Sequence, residues 1–333
     1  MKIAINGYGR IGRNIVRAIF ENGLDKKIEI VAINDLTPPG VCAHLTQFDT
    51  THGRFDAEVS FTDQSLTINN QTIKWYQHTK PGEIPWGDHD IDIVLECAGK
   101  FKTHLALEQH LQAGAPKVLV AHPVADADYT VVYGVNHAGL SASHRIVSNA
   151  SCTTNCLAPV AKVLHEEVGI ESGFMTTIHA YTNDQNLIDK AHSDLYRARA
   201  AAMSMIPTKT GAAAAVGKVL PELAGKIDGL AVRVPTINVS LVDCVFNTSR
   251  STSVEEINQL MQKASAEMPA GVLACNELPL VSIDFNHHPA SSIFDLTQTR
   301  VNDSMIKVMA WYDNEWGFSN RMLDVAALMV AAK

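Results

Sequence analysis

Residues 3–12 read Ile-Ala-Ile-Asn-Gly-Tyr-Gly-Arg-Ile-Gly, three apolar residues running into a glycine turn. The run 3–6 has the composition of a short buried strand, and Ile11, Ile15, Ala18 and Ile19 then recur at helical spacing. Strand, turn and helix in that order make Gly7, Gly9 and Gly12 a G-x-G-x-x-G turn, in which absent side chains let a pyrophosphate approach backbone N–H groups at a helix start. A second strand is expected at 28–34, followed by Asp35. There a carboxylate can hold both hydroxyls of an adenosine ribose and repel a 2′-phosphate, which favours NAD over NADP. The same glycines also suit a tight turn without ligand, and Pro38, Pro39 and Gly40 also suit Asp35 as a plain loop residue.

Working outward, strand-like runs at 91–96, 117–121 and 145–148 with helical pattern between them indicate a parallel sheet with helices on its faces. The fold class is therefore α/β, with residues 1–150 as one domain. Beyond Ser151 the strand-like stretches lengthen, at 173–181, 229–246 and 305–312, and point to a second, α+β domain over 151–314. The section 183–210 is longer than an ordinary connection and hints at binding or subunit contact. The closing segment 315–333 carries an amphipathic helical pattern that needs a partner surface, for which the first domain is the candidate.

Composition excludes several function classes. The 333 residues, 46% of them hydrophobic, are enough for two domains with buried cores. A net charge of -8 argues against a nucleic-acid partner. The N-terminus lacks the apolar core of a signal peptide, and the late apolar run 325–332 falls short of the ~20 residues that cross a bilayer. A soluble, cytoplasmic protein is expected. Six cysteines without a secretory signal read as reduced thiols, and neither Cys152 with Cys156 nor His165-Glu166-Glu167 has metal-ligand spacing.

Cys152 lies in Ser-Asn-Ala-Ser-Cys-Thr-Thr-Asn, ahead of Leu157, Val160, Ala161 and Leu164 at helical spacing. A helix start there would favour thiolate over thiol and would offer N–H groups to an oxyanion. Pro159 either bends this helix or moves its start downstream. A small buried thiol remains the other reading of Cys152, and it is the better one for Cys156. His179 ends the apolar run 174–178, where it is either structural or a general base. Thr182, Arg197, Thr210, Gly211 and Arg233 are ordinary surface chemistry singly and phosphate ligands together.

The segments SNASCTTNC (148–156), HAYTNDQ (179–185), RARAAA (197–202), TGAAAAVGKVLPEL (210–223), RVPTINVS (233–240) and WYDNEWGFSN (311–320) resemble the glyceraldehyde-3-phosphate dehydrogenase family. With INGYGRIGR (5–13), the likeness covers nearly the whole chain in order. It implies a Rossmann-type cofactor domain, an α+β catalytic domain, and a homotetramer whose loop near 183–204 lines a neighbour's cofactor site. Arg10, Ile11 and Asp35 then match cofactor contacts, and Asn314 the residue orienting the nicotinamide carboxamide. Cys152 matches the nucleophile that becomes a thioester, and His179 its base. Ser151, Thr153, Arg197, Thr210 and Gly211 match the site for attacking inorganic phosphate, and Thr182 and Arg233 that for the substrate phosphate. The implied reaction is NAD-dependent oxidative phosphorylation of D-glyceraldehyde 3-phosphate in central carbon metabolism.

The chain departs from the family pattern at Ala121-His122-Pro123, at Lys190-Ala191, at Tyr196, Lys209 and Ala214, and at Phe318. Lys190 would partly offset the repulsion between Asp35 and a 2′-phosphate, giving some NADP use. VVYGVN, DFNHHP and TQTR resemble the erythrose-4-phosphate branch, which hydrolyses its thioester. HAYTNDQ and TKTGAAAA, which hold the phosphate contacts, resemble the glyceraldehyde branch and decide the expectation.

Overall fold

Ile3, Ala4 and Ile5 are completely buried, as a strand covered on both faces by helices requires. They form β1 (Lys2–Asn6) in the computed structural model, which describes residues 1–332. Lys333, the last residue of the expected closing segment, lies outside the described residues. The chain divides into two compact units. One comprises residues 1–131, 137–151 and 319 onward, and the other comprises 132–136 and 152–318.

In the first unit, β1 is followed by α1 (Arg10–Glu21), β2 (Glu29–Asn34) and α2 (Pro39–Gln47). A short ladder, β3 (Phe48–Asp49) with β4 (Gly53–Arg54), precedes β5 (Val59–Thr62), β6 (Ser65–Ile68) and β7 (Gln71–Tyr76). Then come β8 (Ile93–Glu96), α3 (His104–Gln112), β9 (Val118–Val120), β10 (Tyr129–Thr130) and β11 (Ile146–Ser148). The nine-stranded sheet has the order β10-β11-β9-β8-β1-β2-β7-β6-β5. It is parallel from β10 to β7 and antiparallel at the β7-β6-β5 edge. Chain order reverses at β1, with β2 and β7 on one side and β8 and β9 on the other. A switch point of this kind leaves a crevice at the carboxyl ends of the strands. The sheet matches the expected Rossmann-type α/β class, with strand ends displaced by one or two residues.

The glycine turn next to β1 is set by close backbone approach. Gly7 has a φ of +91°, and a Cβ there would stand 2.4 Å from the Ala98 nitrogen. A Cβ on Gly12 would stand 2.2 Å from the Gly7 carbonyl oxygen. Neither position admits a side chain. Gly9 differs, because a Cβ there would meet nothing within 4 Å.

In the second unit, α4 (Cys152–Val168) leads into β12 (Ile170–Ala180). The remaining elements are β13 (Ile206–Lys209), α5 (Ala212–Val219), β14 (Ile227–Val234), β15 (Ser240–Thr248), α6 (Val254–Glu267), β16 (Leu273–Asn276), β17 (Ser292–Asp295), β18 (Arg300–Asn302) and β19 (Met305–Tyr312). Their order is β13-β14-β12-β15-β19-β17-β16, with β18 also on β19. Only the β12·β14 and β16·β17 pairs are parallel, as expected for an α+β unit. α4 packs across β12, β15, β17 and β19. α7 (Trp316–Ala331) closes the described chain. Its later part belongs to the first unit, where the Lys117 ammonium donates to the Met329 carbonyl.

Two expectations change. The run 229–246 is not one strand but β14 and β15, which flank β12 on opposite sides. Pro235, which has no N–H to donate, and Val239, with a φ of 67°, lie in the connection between them. Pro159 does not delay α4, which starts at Cys152 and carries the proline in its interior.

Candidate active site

The crevice of the first unit is a cavity of ≈ 310 Å³, near the lower end of the ~300–1,000 Å³ range of small-molecule sites. Its walls include Asn6, Gly7, Gly9, Asn34, Asp35, His78 and Ala98, at the ends of four adjacent strands. Both Asp35 carboxylate oxygens accept backbone N–H groups, from Tyr8 at 2.6 Å and from Thr37 at 2.8 Å. The carboxylate is thereby fixed at the cavity wall. Gly9 keeps that wall open, and no neighbour within the fold excludes a side chain there.

Arg10 and Ile11 are not among the cavity's lining residues. The Arg10 guanidinium forks onto both oxygens of Asp49, so the side chain is committed to an ion pair. Arg10 and Ile11 form the first backbone turn of α1, the positive end of a helix dipole.

In the second unit, Cys152 opens α4 with its Sγ 3.7 Å from His179 Nε2. His179 is the penultimate residue of β12 and lies in register with Arg233 of β14. Arg233 Nη1 stands 2.8 Å from His179 Nδ1 and donates to the Ala180 carbonyl at 3.1 Å, the same oxygen that lies 2.6 Å from Nδ1. The Ala180 carbonyl can only accept, so with its proton on Nδ1 His179 donates to it and directs the Nε2 lone pair toward the sulfur, while Arg233 Nη1 lies beside Nδ1 without a hydrogen bond to it and donates to the same carbonyl.

Burial, followed by the Arg233 charge, lowers His179 to about 3. Burial also pushes the Cys152 thiol up, against the opposing pull of Arg233, the Thr153 hydroxyl and the N–H groups of residues 152 and 153. The helix start thus acts as anticipated but does not outweigh desolvation. The resting pair is a thiol beside a neutral imidazole, so the sulfur needs a base.

Tyr312 was not singled out in the sequence, yet its hydroxyl lies 2.8 Å from both Thr153 Oγ1 and Thr177 Oγ1, and its ring meets that of His179 edge-on. It locks the first turn of α4 to β12. The signal for it was the Trp-Tyr-Asp-Asn motif, which alone does not say where the phenol points. Asn314 is held by Ser240, whose hydroxyl accepts from the Ala180 N–H and so must donate to Asn314 Oδ1, at 2.8 Å. The Asn314 NH₂ is thereby directed away from Ser240.

Arg197 reaches β13, donating from Nε to Thr208 Oγ1 at 2.9 Å and from Nη2 to the Lys209 carbonyl at 3.1 Å, while Nη1 pairs with Asp184. Its charge acts on both His179 and Arg233. Thr210 and Gly211 follow β13 at the start of α5, and the Thr210 hydroxyl accepts from the Ala212 N–H. Thr182 bonds to Gln185 in a turn. Ser151 immediately precedes Cys152, after Ala150 at a left-handed φ of 54°. Cys156 is a fully buried thiol, as its apolar neighbours suggested. No helix among the described residues is long and apolar enough to cross a membrane.

Residues 1–104 match the family described as Glyceraldehyde 3-phosphate dehydrogenase, NAD binding domain, and residues 151–314 match Glyceraldehyde 3-phosphate dehydrogenase, C-terminal domain. The chain is 60% identical over 333 residues to the glyceraldehyde-3-phosphate dehydrogenase of Pseudomonas aeruginosa, covering 100% of this chain and 99% of that protein. It is 57% identical to the chromosomal enzyme of that name from Cupriavidus necator, with 100% and 99% covered. It is 51% identical to glyceraldehyde-3-phosphate dehydrogenase 1 of Bacillus cereus, with 99% and 98% covered. These relatives do not favour the erythrose-4-phosphate branch.

Proposed function

Because this chain belongs to the glyceraldehyde-3-phosphate dehydrogenase family, we propose that it oxidises D-glyceraldehyde 3-phosphate to 1,3-bisphosphoglycerate through a thioester on Cys152. The observation that carries this reading is the 3.7 Å approach of Cys152 Sγ to His179 Nε2, under the charges of Arg233 and Arg197. Gly9 and Asp35 would hold NAD, the Asn314 NH₂ would orient its carboxamide, and the bound cofactor would supply the acceptor for the hydride of the substrate carbon.

As sulfur bonds to the aldehyde carbon, the thiol proton passes to His179 Nε2 and from there to the carbonyl oxygen, giving a hemithioacetal. N–H groups at the start of α4 stabilise the developing oxyanion. Nε2 then removes the hydroxyl proton as the C–H electron pair departs, leaving the thioester. A phosphate oxygen adds to the thioester carbonyl, the C–S bond breaks, and the sulfur is reprotonated. Substrate phosphate bound at Thr182 and Arg233 offsets the guanidinium that opposes an imidazolium, so His179 becomes a stronger base once substrate is present. Arg197, Thr210, Gly211, Ser151 and Thr153 receive the attacking phosphate.

A homotetramer fits the exposed Leu187, Ile188, Leu195, Met203 and Met205 of the long loop. Some NADP use rests on Lys190, and an NAD preference above roughly a thousandfold, ~4 kcal/mol, removes it. The reaction is tested by following NADH and acyl phosphate with glyceraldehyde 3-phosphate and with erythrose 4-phosphate, each with and without inorganic phosphate. Sustained turnover is expected only with phosphate and the three-carbon aldehyde; equal rates without phosphate, giving the free acid, overturn the reading.

A further inference from the structure

Next to the dinucleotide cavity lies a buried polar chain that none of the roles above uses. Glu96 closes β8 and is fully buried, as is His110 of α3. Glu96 Oε2 accepts from Asn6 Nδ2 at 2.5 Å and lies 3.0 Å from His110 Nε2, while Oε1 accepts from the Ala98 N–H at 2.7 Å. Trp86 Nε1, which can only donate, stands 2.9 Å from His110 Nδ1. The lone pair of His110 is therefore on Nδ1 and its proton on Nε2, directed at Glu96. All three neighbours of Glu96 offer it a proton and none accepts one.

The chain continues into the cavity wall. Asn6 Oδ1 accepts from Asn34 Nδ2 at 2.8 Å, and Asn34 exchanges bonds with the backbone of His78 at 2.8 and 3.0 Å. Asn6, Asn34, His78 and Ala98 line the cavity, whereas Glu96, His110 and Trp86 are not among its lining residues. One carboxylate thus sets the direction of two wall groups and, through Asn34, of a third segment.

We propose that Glu96, oriented by His110 and Trp86, is a positioning residue for NAD, holding the rim of the cavity in its binding geometry before the cofactor arrives. Preorganisation of this kind appears in affinity, because a rim left to reorder must do so on binding. It predicts an effect from His110, which does not line the cavity and meets its wall otherwise only through the edge of the Phe101 ring, a contact that Leu and Gln at position 110 alter alike.

The test is the NAD dissociation constant of the cofactor-free full chain by calorimetric titration, with the alkylation rate of Cys152 as a second readout. His110→Leu is expected to raise Kd at least fivefold and leave alkylation within twofold. His110→Gln, which can still donate to Glu96 and accept from Trp86, is expected to stay within twofold of the parent. Should His110→Leu fail to fold, Glu96→Gln, which sets an N–H among donors, is expected to raise Kd at least tenfold. An unchanged Kd in whichever of these two is measured overturns the proposal. So does equal weakening by Leu and Gln at position 110, which is a packing effect. The phosphate dependence of the product is a separate reading, so failure here and failure of the proposed reaction are told apart.

Discussion

The glycine turn in the wall of the first unit's cavity is local: Gly7 and Gly12 meet because a strand, a turn and a helix follow one another directly, and only Ala98, after the neighbouring strand β8, reaches it from elsewhere in the chain. The thiol site of the second unit is made of side chains from α4, β12 and β14, and the α4 turn that carries the thiol is steadied from β19 by Tyr312. A local motif therefore suffices to shape the turn, while the rest of that cavity's wall and the whole thiol site exist only once the sheets have their strand order. The difference also predicts how each fails. Side-chain deletions should silence the thiol site without unfolding it, and the glycine turn should separate into positions that hold the fold and one that admits the ligand.

The largest effect expected is at Cys152. Cys152→Ala should lower kcat by roughly 10⁵-fold or more, the scale on which covalent enzymes lose activity without their nucleophile. Its NAD affinity should stay within twofold, as titration will show. A comparable loss of NAD binding would break the division of labour between the two regions. His179→Asn should cost roughly 10²–10⁴-fold in kcat, the usual worth of a general base. Its Cys152 should also alkylate more slowly than the parent's at neutral pH, since the thiol is held high by burial.

Acid sharpens the same comparison. His179 is held near 3 in the fold, by burial and then by Arg233, whereas a free imidazole titrates near 6.5. The unfolded chain therefore takes up a proton that the folded chain refuses. This contribution to stability is complete above about pH 6.5 and is lost as pH falls toward 3, by about 2 kcal/mol at pH 5. Urea unfolding at pH 7 and pH 5 should show the parent losing more than His179→Asn by that amount; equal losses would mean the imidazole is not held neutral.

In the first unit, Gly7→Ala should destabilise by about 1–3 kcal/mol, because it combines a left-handed φ with a backbone clash. Gly9→Leu should leave the melting temperature within a degree or two and weaken NAD about tenfold or more. Thermal melts and titration of the pair decide this. A Gly9 variant that melts early would show that the fold, and not the ligand, requires that glycine.

How much was legible in the sequence follows the same division. The glycine turn and Asp35 could be read because strand, turn and carboxylate are close in the chain and obey one spacing. The helix start at Cys152 was also visible, although Pro159 obscured it; α4 tolerates the proline within a helix packed over four strands. The approach of Arg233 to His179 was not legible, because it depends on β14 lying parallel to β12 in one register. Tyr312 and the Glu96–His110–Trp86 chain were missed for the same reason. Glu96 and Tyr312 look like the polar or aromatic ends of apolar strands, and His110 and Trp86 like an ordinary helix and loop residue, until their partner elements are in place.

The most direct measurement is a single turnover without inorganic phosphate. Stopped-flow absorbance should show a burst of one NADH per chain, and peptide mass analysis should find the acyl group on Cys152. Added phosphate should then discharge it as an acyl phosphate and restore steady turnover. The absence of an adduct, or its discharge by water as fast as by phosphate, would contradict the account.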